Sequence, residues 1–111
     1  MTDISKYDVV VVRFPFASSI KYKARPAVIV SSSLYNESKR DTLLILAISG
    51  NVTGRLEFEA EVSDWQECGL LKPSIFKAAI ATIENRNILA KIGKLTENDI
   101  QRLETMIHSI C

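Results

Sequence analysis

Cysteine and histidine are the scarcest chemistry in these 111 residues: two of the first and one of the second. Cys68 and Cys111 stand far apart and His108 is the single imidazole, so no spacing of thiolates and imidazoles suits zinc. No metal and no cofactor are expected. Two distant cysteines make no disulfide framework either, and reduced thiols are the expectation. Long apolar runs are missing too. No stretch approaches the roughly 20 residues of a membrane-spanning helix, and the N-terminus has no apolar segment behind a basic start. The expected location is therefore cytoplasmic, with no membrane association. The triplets Asn36-Glu-Ser38 and Asn51-Val-Thr53 carry no glycosylation meaning without secretion. Internal repeats and low-complexity segments are absent, which leaves one domain over residues 1–111 with 47% hydrophobic composition and a single core.

The net charge of +1 neither demands nor excludes nucleic acid, but its distribution is uneven. Residues 1–55 carry eight Lys/Arg against four Asp/Glu, net +4, and residues 56–111 carry six against nine, net −3. A local basic surface on a near-neutral protein follows. Its centre is the stretch 17–33, where Lys21, Lys23 and Arg25 alternate. On an extended chain the three cations share one side, with Tyr22 and Ala24 on the other. Pro26 holds Arg25 in β or polyproline geometry and so restricts where its guanidinium leaves the backbone. A fixed arginine at the mouth of a strand, beside two lysines and a tyrosine, suits a phosphate-bearing ligand. The competing reading is a solvated basic loop.

The remaining pattern is mostly β. Residues 7–16 hold four consecutive valines, which implies burial on both faces, and Pro15 marks the strand's end. Residues 27–30 and 43–48 read as further core strands, and 34–41 as a connection. The acidic–apolar alternation of 57–62 predicts a half-exposed strand with its carboxylates on one face. Ser63 or Asp64 caps a short helical turn that Gly69 ends. Residues 75–83 and 88–92 complete the strands. Thr96 caps a C-terminal helix with Glu97 and Asp99 in its first turn and an apolar stripe of Ile100, Leu103, Ile107 and Ile110. The expected fold is mainly β: an antiparallel barrel of five to seven strands, closed or nearly so, with the helix packed against it. Residues 9–12, 27–30 and 43–48 plus the helix stripe exceed what one small barrel must bury, so a homodimer is expected.

These pieces, in this order, resemble the MazF/PemK family of toxins from bacterial toxin–antitoxin systems. The likeness runs through Asp8-Val-Val-Val-Val-Arg-Phe-Pro-Phe16, the Arg25-Pro26 pair and its strand to Ser31, and Ala47-Ile-Ser49. It continues in Gly69-Leu-Leu-Lys-Pro-Ser74 and Ile92-Gly-Lys-Leu-Thr-Glu-Asn-Asp99. The resemblance implies a strongly bent SH3-like barrel, a homodimer, an antitoxin partner and endoribonuclease activity on single-stranded RNA. Ser-Ser-Ile-Lys-Tyr-Lys stands where many members carry a loop glutamate, and Ser49 stands where threonine is more usual.

In metal-free RNA cleavage the 2′-OH attacks the neighbouring phosphorus, and negative charge gathers on the phosphoryl oxygens. Arg25 fits phosphate stabilisation, and Ser49 at a strand end can donate to the same group. These two are the expected catalytic residues. Lys21, Tyr22, Lys23 and Ser74 are the expected substrate-binding ones: the lysines for flanking phosphates, Tyr22 for base stacking, Ser74 by reach from its turn. No residue stands out as the general base. His108 lies off the apolar stripe and reads as a surface histidine, and Trp65 reads as a plug of the barrel end. Two other functions fit the same barrel. One is a CcdB-like gyrase poison, whose tryptophan-containing tail the terminus Met106-Ile-His-Ser-Ile-Cys111 lacks. The other is an inactive dimeric binding module. The antitoxin expected for the RNA-cleaving reading presents an acidic, partly disordered segment to the cationic loop.

Overall fold

The computed structural model describes residues 4–14, 23–38, 41–52 and 57–111. Their elements in order are β1 (Asp8–Phe14), β2 (Lys23–Ile29), α1 (Ser33–Asn36), β3 (Thr42–Ser49), β4 (Ala60–Glu61), β5 (Ile75–Glu84), a 3-10 turn (Asn85–Asn87), β6 (Ile88–Lys94) and α2 (Glu97–Ile110). The strands form one antiparallel sheet in the order β4-β5-β3-β2-β1-β6. The architecture is thus the mainly β one expected, with a C-terminal helix. The sheet is not closed, however. Its edge β4 is two residues long, too short to ladder along β6, because Phe58 takes a positive φ of 69° and breaks the extended run. The predicted alternation over 57–62 fails for the same reason: Glu59 is buried and ion-paired with Lys77 at 2.9 Å, whereas Glu61 is exposed. The connection after β2 also holds one helical turn, α1, capped by Ser32, whose hydroxyl accepts the Tyr35 N–H. One turn is too short to leave an apolar period.

The valine run of β1 is buried on both faces, as its composition requires. Val9 joins Val28, Leu46, Ile48 and Phe76 on the face covered by α2, through Leu103 and Met106. Val10 and Val12 join Ala27, Ile29, Leu43, Ile45 and Ile83 on the other. The apolar strands are therefore absorbed by two clusters within one chain, and their composition no longer argues for a second copy. Among the described residues no helix is long and apolar enough to cross a membrane.

Helix α2 begins as predicted, with the Thr96 hydroxyl accepting the Asp99 N–H. Asp99 also reaches outward. Fully buried, its carboxylate accepts the N–H groups of Ser63 at 2.6 Å and Asp64 at 2.8 Å. The turn that starts there closes with the Leu70 N–H on the Trp65 carbonyl and the Gly69 N–H on that of Gln66. This is a Schellman closure. It requires the left-handed φ of +90° at Gly69, where a Cβ would fall 2.1 Å from the Ile92 carbonyl oxygen.

At the other end of α2, Glu104 accepts the Tyr7 hydroxyl at 2.5 Å and ties the helix to the start of β1. Burial first, then the bond to Glu104 and its charge, push the Tyr7 phenol from 10.0 up to about 12. Between those values the folded chain binds more protons than the unfolded one. This part of the stability is fully present below about pH 10 and is lost as pH rises towards 12. Urea denaturation across that window is expected to show a steeper loss for the wild type than for Tyr7→Phe; equal slopes would refute the coupling.

Candidate active site

The site follows from strand register. In β2 and β3, Ala27 faces Ala47. Two residues beyond that pair, at the same end and on the same face of each strand, are Arg25 and Ser49. Pairing with β3 begins only at Ala27, next to Pro26, which has no N–H with which to continue a ladder. The end of the ladder is thus written into Pro26. On the next strand Ser49 faces Ile75, which places Ser74 beside it. Register alone therefore brings the predicted Arg25, Ser49 and Ser74 to one end of three neighbouring strands.

Their environments differ. Arg25 is exposed, and Ser49 is half-buried at the end of β3. The Ser49 hydroxyl oxygen accepts the Asn51 N–H at 3.1 Å, which orients it. Ser74 is buried, and its hydroxyl donates to the Lys72 carbonyl at 2.9 Å. Its own carbonyl accepts the Val62 N–H at 2.9 Å. Lys23 opens β2, its backbone paired with Phe14. Lys21 and Tyr22 lie outside the described residues. His108 is exposed on α2 and belongs to a surface hollow with Glu104, Thr105 and Ser109, not to the group around Ser49.

A further cation, Lys72, stands near this group. The Lys72 side chain lies over Gly50, the residue after Ser49: a Cβ there would sit 2.1 Å from the lysine Cε and 2.9 Å from Nζ. Glycine is what admits the lysine. No spacing rule links residues 50 and 72, so the sequence carries no signal for it. Trp65, half-buried against the α2-side cluster, also borders a hollow of about 290 Å³ with Val52, Glu61, Pro73, Ser74 and Arg102. Among the described residues no three His, Cys, Asp or Glu side chains converge as metal ligands. Among the described residues, what this end of the sheet offers is cationic and hydroxyl donors.

Compared with known protein families, residues 5–111 match the model of the PemK-like, MazF-like toxin of type II toxin–antitoxin systems. The chain belongs to that family. The PemK-like segments read in the sequence fall on β1, on β2, at the end of β3, on the turn that enters β5, and on the link into α2. Comparison with individually curated proteins gives no match. Among solved structures, one described as an endoribonuclease in complex with its cognate antitoxin from mycobacterial species superposes with a TM-score of 0.73 at 14% identity. The alignment covers 98% of this PemK-like chain and 93% of that one. At that identity the likeness concerns the fold.

Proposed function

We propose that this PemK-like toxin is a metal-independent endoribonuclease that cleaves single-stranded RNA in the cytoplasm. The observation that supports the reading is that register sets Arg25 and Ser49 at the same end and on the same face of β2 and β3. The substrate's 2′-oxygen forms a bond to the adjacent phosphorus and loses its proton. The P–O5′ bond breaks, and the departing oxygen takes up a proton. The products are a 2′,3′-cyclic phosphate and a 5′-OH. Arg25 neutralises the charge that builds on the phosphoryl oxygens, and the Ser49 hydroxyl donates to the same group. Lys21 and Lys23 hold flanking phosphates, Tyr22 stacks on a base, and Ser74 contributes through the wall it forms beside Ser49. The active form is a homodimer; Ile80 and Leu89, each 46% exposed, offer apolar surface for it. The antitoxin covers the basic loop with an acidic, partly disordered segment that places carboxylates where phosphates bind.

The test is incubation of end-labelled single-stranded RNA with purified toxin in EDTA. Fragments with 2′,3′-cyclic phosphate and 5′-OH ends are expected, and excess antitoxin abolishes them. Gyrase-dependent DNA breaks without RNA cleavage would replace this reading with a gyrase poison; neither product would leave an inactive binding module.

A further inference from the structure

Of the hollow bordered by Trp65, Pro73 and Ser74, the reaction just described uses only Ser74. The hollow lies at the same end of the sheet, on the α2 side, since Ser74 precedes the residue that faces Ser49. At about 290 Å³ it sits at the lower limit of the roughly 300–1,000 Å³ typical of small-molecule pockets, a size suited to one nucleobase. Its walls combine an aromatic ring (Trp65), a proline, an arginine (Arg102) and a carboxylate (Glu61). Lys72, held over Gly50, stands where the 49–52 and 72–74 segments meet. Among the described residues Glu61, Lys72 and Arg102 enter no ion pair. Their charges are available to a ligand.

We propose that this hollow is a subsite for one nucleotide flanking the cleaved bond, with Lys72 on its phosphate and the base against Trp65 and Pro73. The subsite rests on the RNA-cleaving reading above. Glu61 accepts a hydrogen bond from the base edge and so favours a base with an exocyclic amino group. Stacking on an aromatic side chain tolerates any base, so selection falls to the carboxylate. The same carboxylate argues against an acidic peptide as the occupant, because it would repel one. Gly50 and Ser74 are positioning residues: one leaves room for the Lys72 side chain, the other fixes its carbonyl.

The experiment uses full-length toxin and 12-nucleotide single-stranded RNAs with a random centre, read by sequencing the cleaved ends. Binding of the all-2′-deoxy version of the pool is measured alongside. Lys72→Ala is expected to raise KM about tenfold with kcat little changed, and to flatten the salt dependence of binding by about 0.7 in log–log slope. Lys72→Arg restores most of both, and Gly50→Ala imitates Lys72→Ala because it displaces only the flexible end of the lysine. Glu61→Gln relaxes base preference at one position beside the cut by about tenfold and leaves the others unchanged. Binding of the deoxy pool that weakens in Lys72→Ala, in a protein that cleaves nothing, would keep the subsite and reject the cleavage reading. Cleavage with KM, salt slope and base preference unaltered in these variants would overturn the subsite, as would loss of antitoxin binding alone. A wild type that neither binds nor cleaves the pools would overturn both.

Discussion

Arg25→Ala is expected to lower RNA cleavage by about 10²–10³-fold, the usual loss for one transition-state donor, while leaving the denaturation midpoint unchanged. The two halves of that expectation have separate causes. Arg25 is exposed at the end of β2, and the apolar clusters begin only at Ala27 and Val28, so truncation opens no cavity. Surface changes of this kind shift stability by about 0.5 kcal/mol or less. The activity loss arises because Ser49 alone, a neutral donor already oriented by the Asn51 N–H, cannot offset charge on the phosphoryl oxygens. Arg25→Lys is expected to recover little, since an ammonium offers a point charge where the planar fork binds two oxygens at once. A folded Arg25→Ala protein that cleaves at nearly the wild-type rate would sink the assignment.

The candidates Arg25 and Ser49 are legible in the sequence because each sits at a boundary: a Pro on one side, a change from apolar strand to Gly-Asn on the other. What the sequence did not carry was their register, which the Ala27–Ala47 pairing supplies. The limits of pattern reading have physical causes. Alternation over 57–62 implied a strand, yet one positive φ at Phe58 outweighs it and reduces β4 to two residues. The apolar runs alone do not decide between a second copy and a second core. A sheet buried on both faces absorbs them within one chain. Lys72 leaves no sequence signal because its place depends on the room at Gly50, which exists only once two segments have met. Local spacing shows Asp99 as a complement to the helix dipole, but its contacts across the fold to residues 63 and 64 leave no trace there.

Those contacts make Asp99 the position where one substitution should cost the most stability. Its carboxylate is fully buried and ties α2 to the 63–69 turn through the two N–H groups of Ser63 and Asp64, with the Cys68 thiol 3.6 Å from Oδ2. The Thr96 hydroxyl donates to Asp64 Oδ2 at 2.6 Å and closes the group. Replacing the carboxylate with alanine leaves both N–H donors of these part-buried contacts without their acceptor, at about 1–3 kcal/mol each. Asp99→Ala is therefore expected to lose on the order of 4 kcal/mol of unfolding free energy, read as a shift in the urea midpoint. Asp99→Asn is the more informative change, because it preserves volume. Its amide oxygen can accept one N–H, but its NH2 must face the other donor, so roughly half the loss is expected. A second readout separates local opening from global unfolding. Burial, above all, pushes the Cys68 thiol up to about 11, and in the wild type a thiol reagent should label the exposed Cys111 at once and Cys68 only slowly. In Asp99→Asn, under conditions where the protein remains folded, Cys68 should label much faster, since the turn that shields it has lost its tether. An unshifted midpoint together with a Cys68 as protected as in the wild type would show that α2 is held by its apolar face alone.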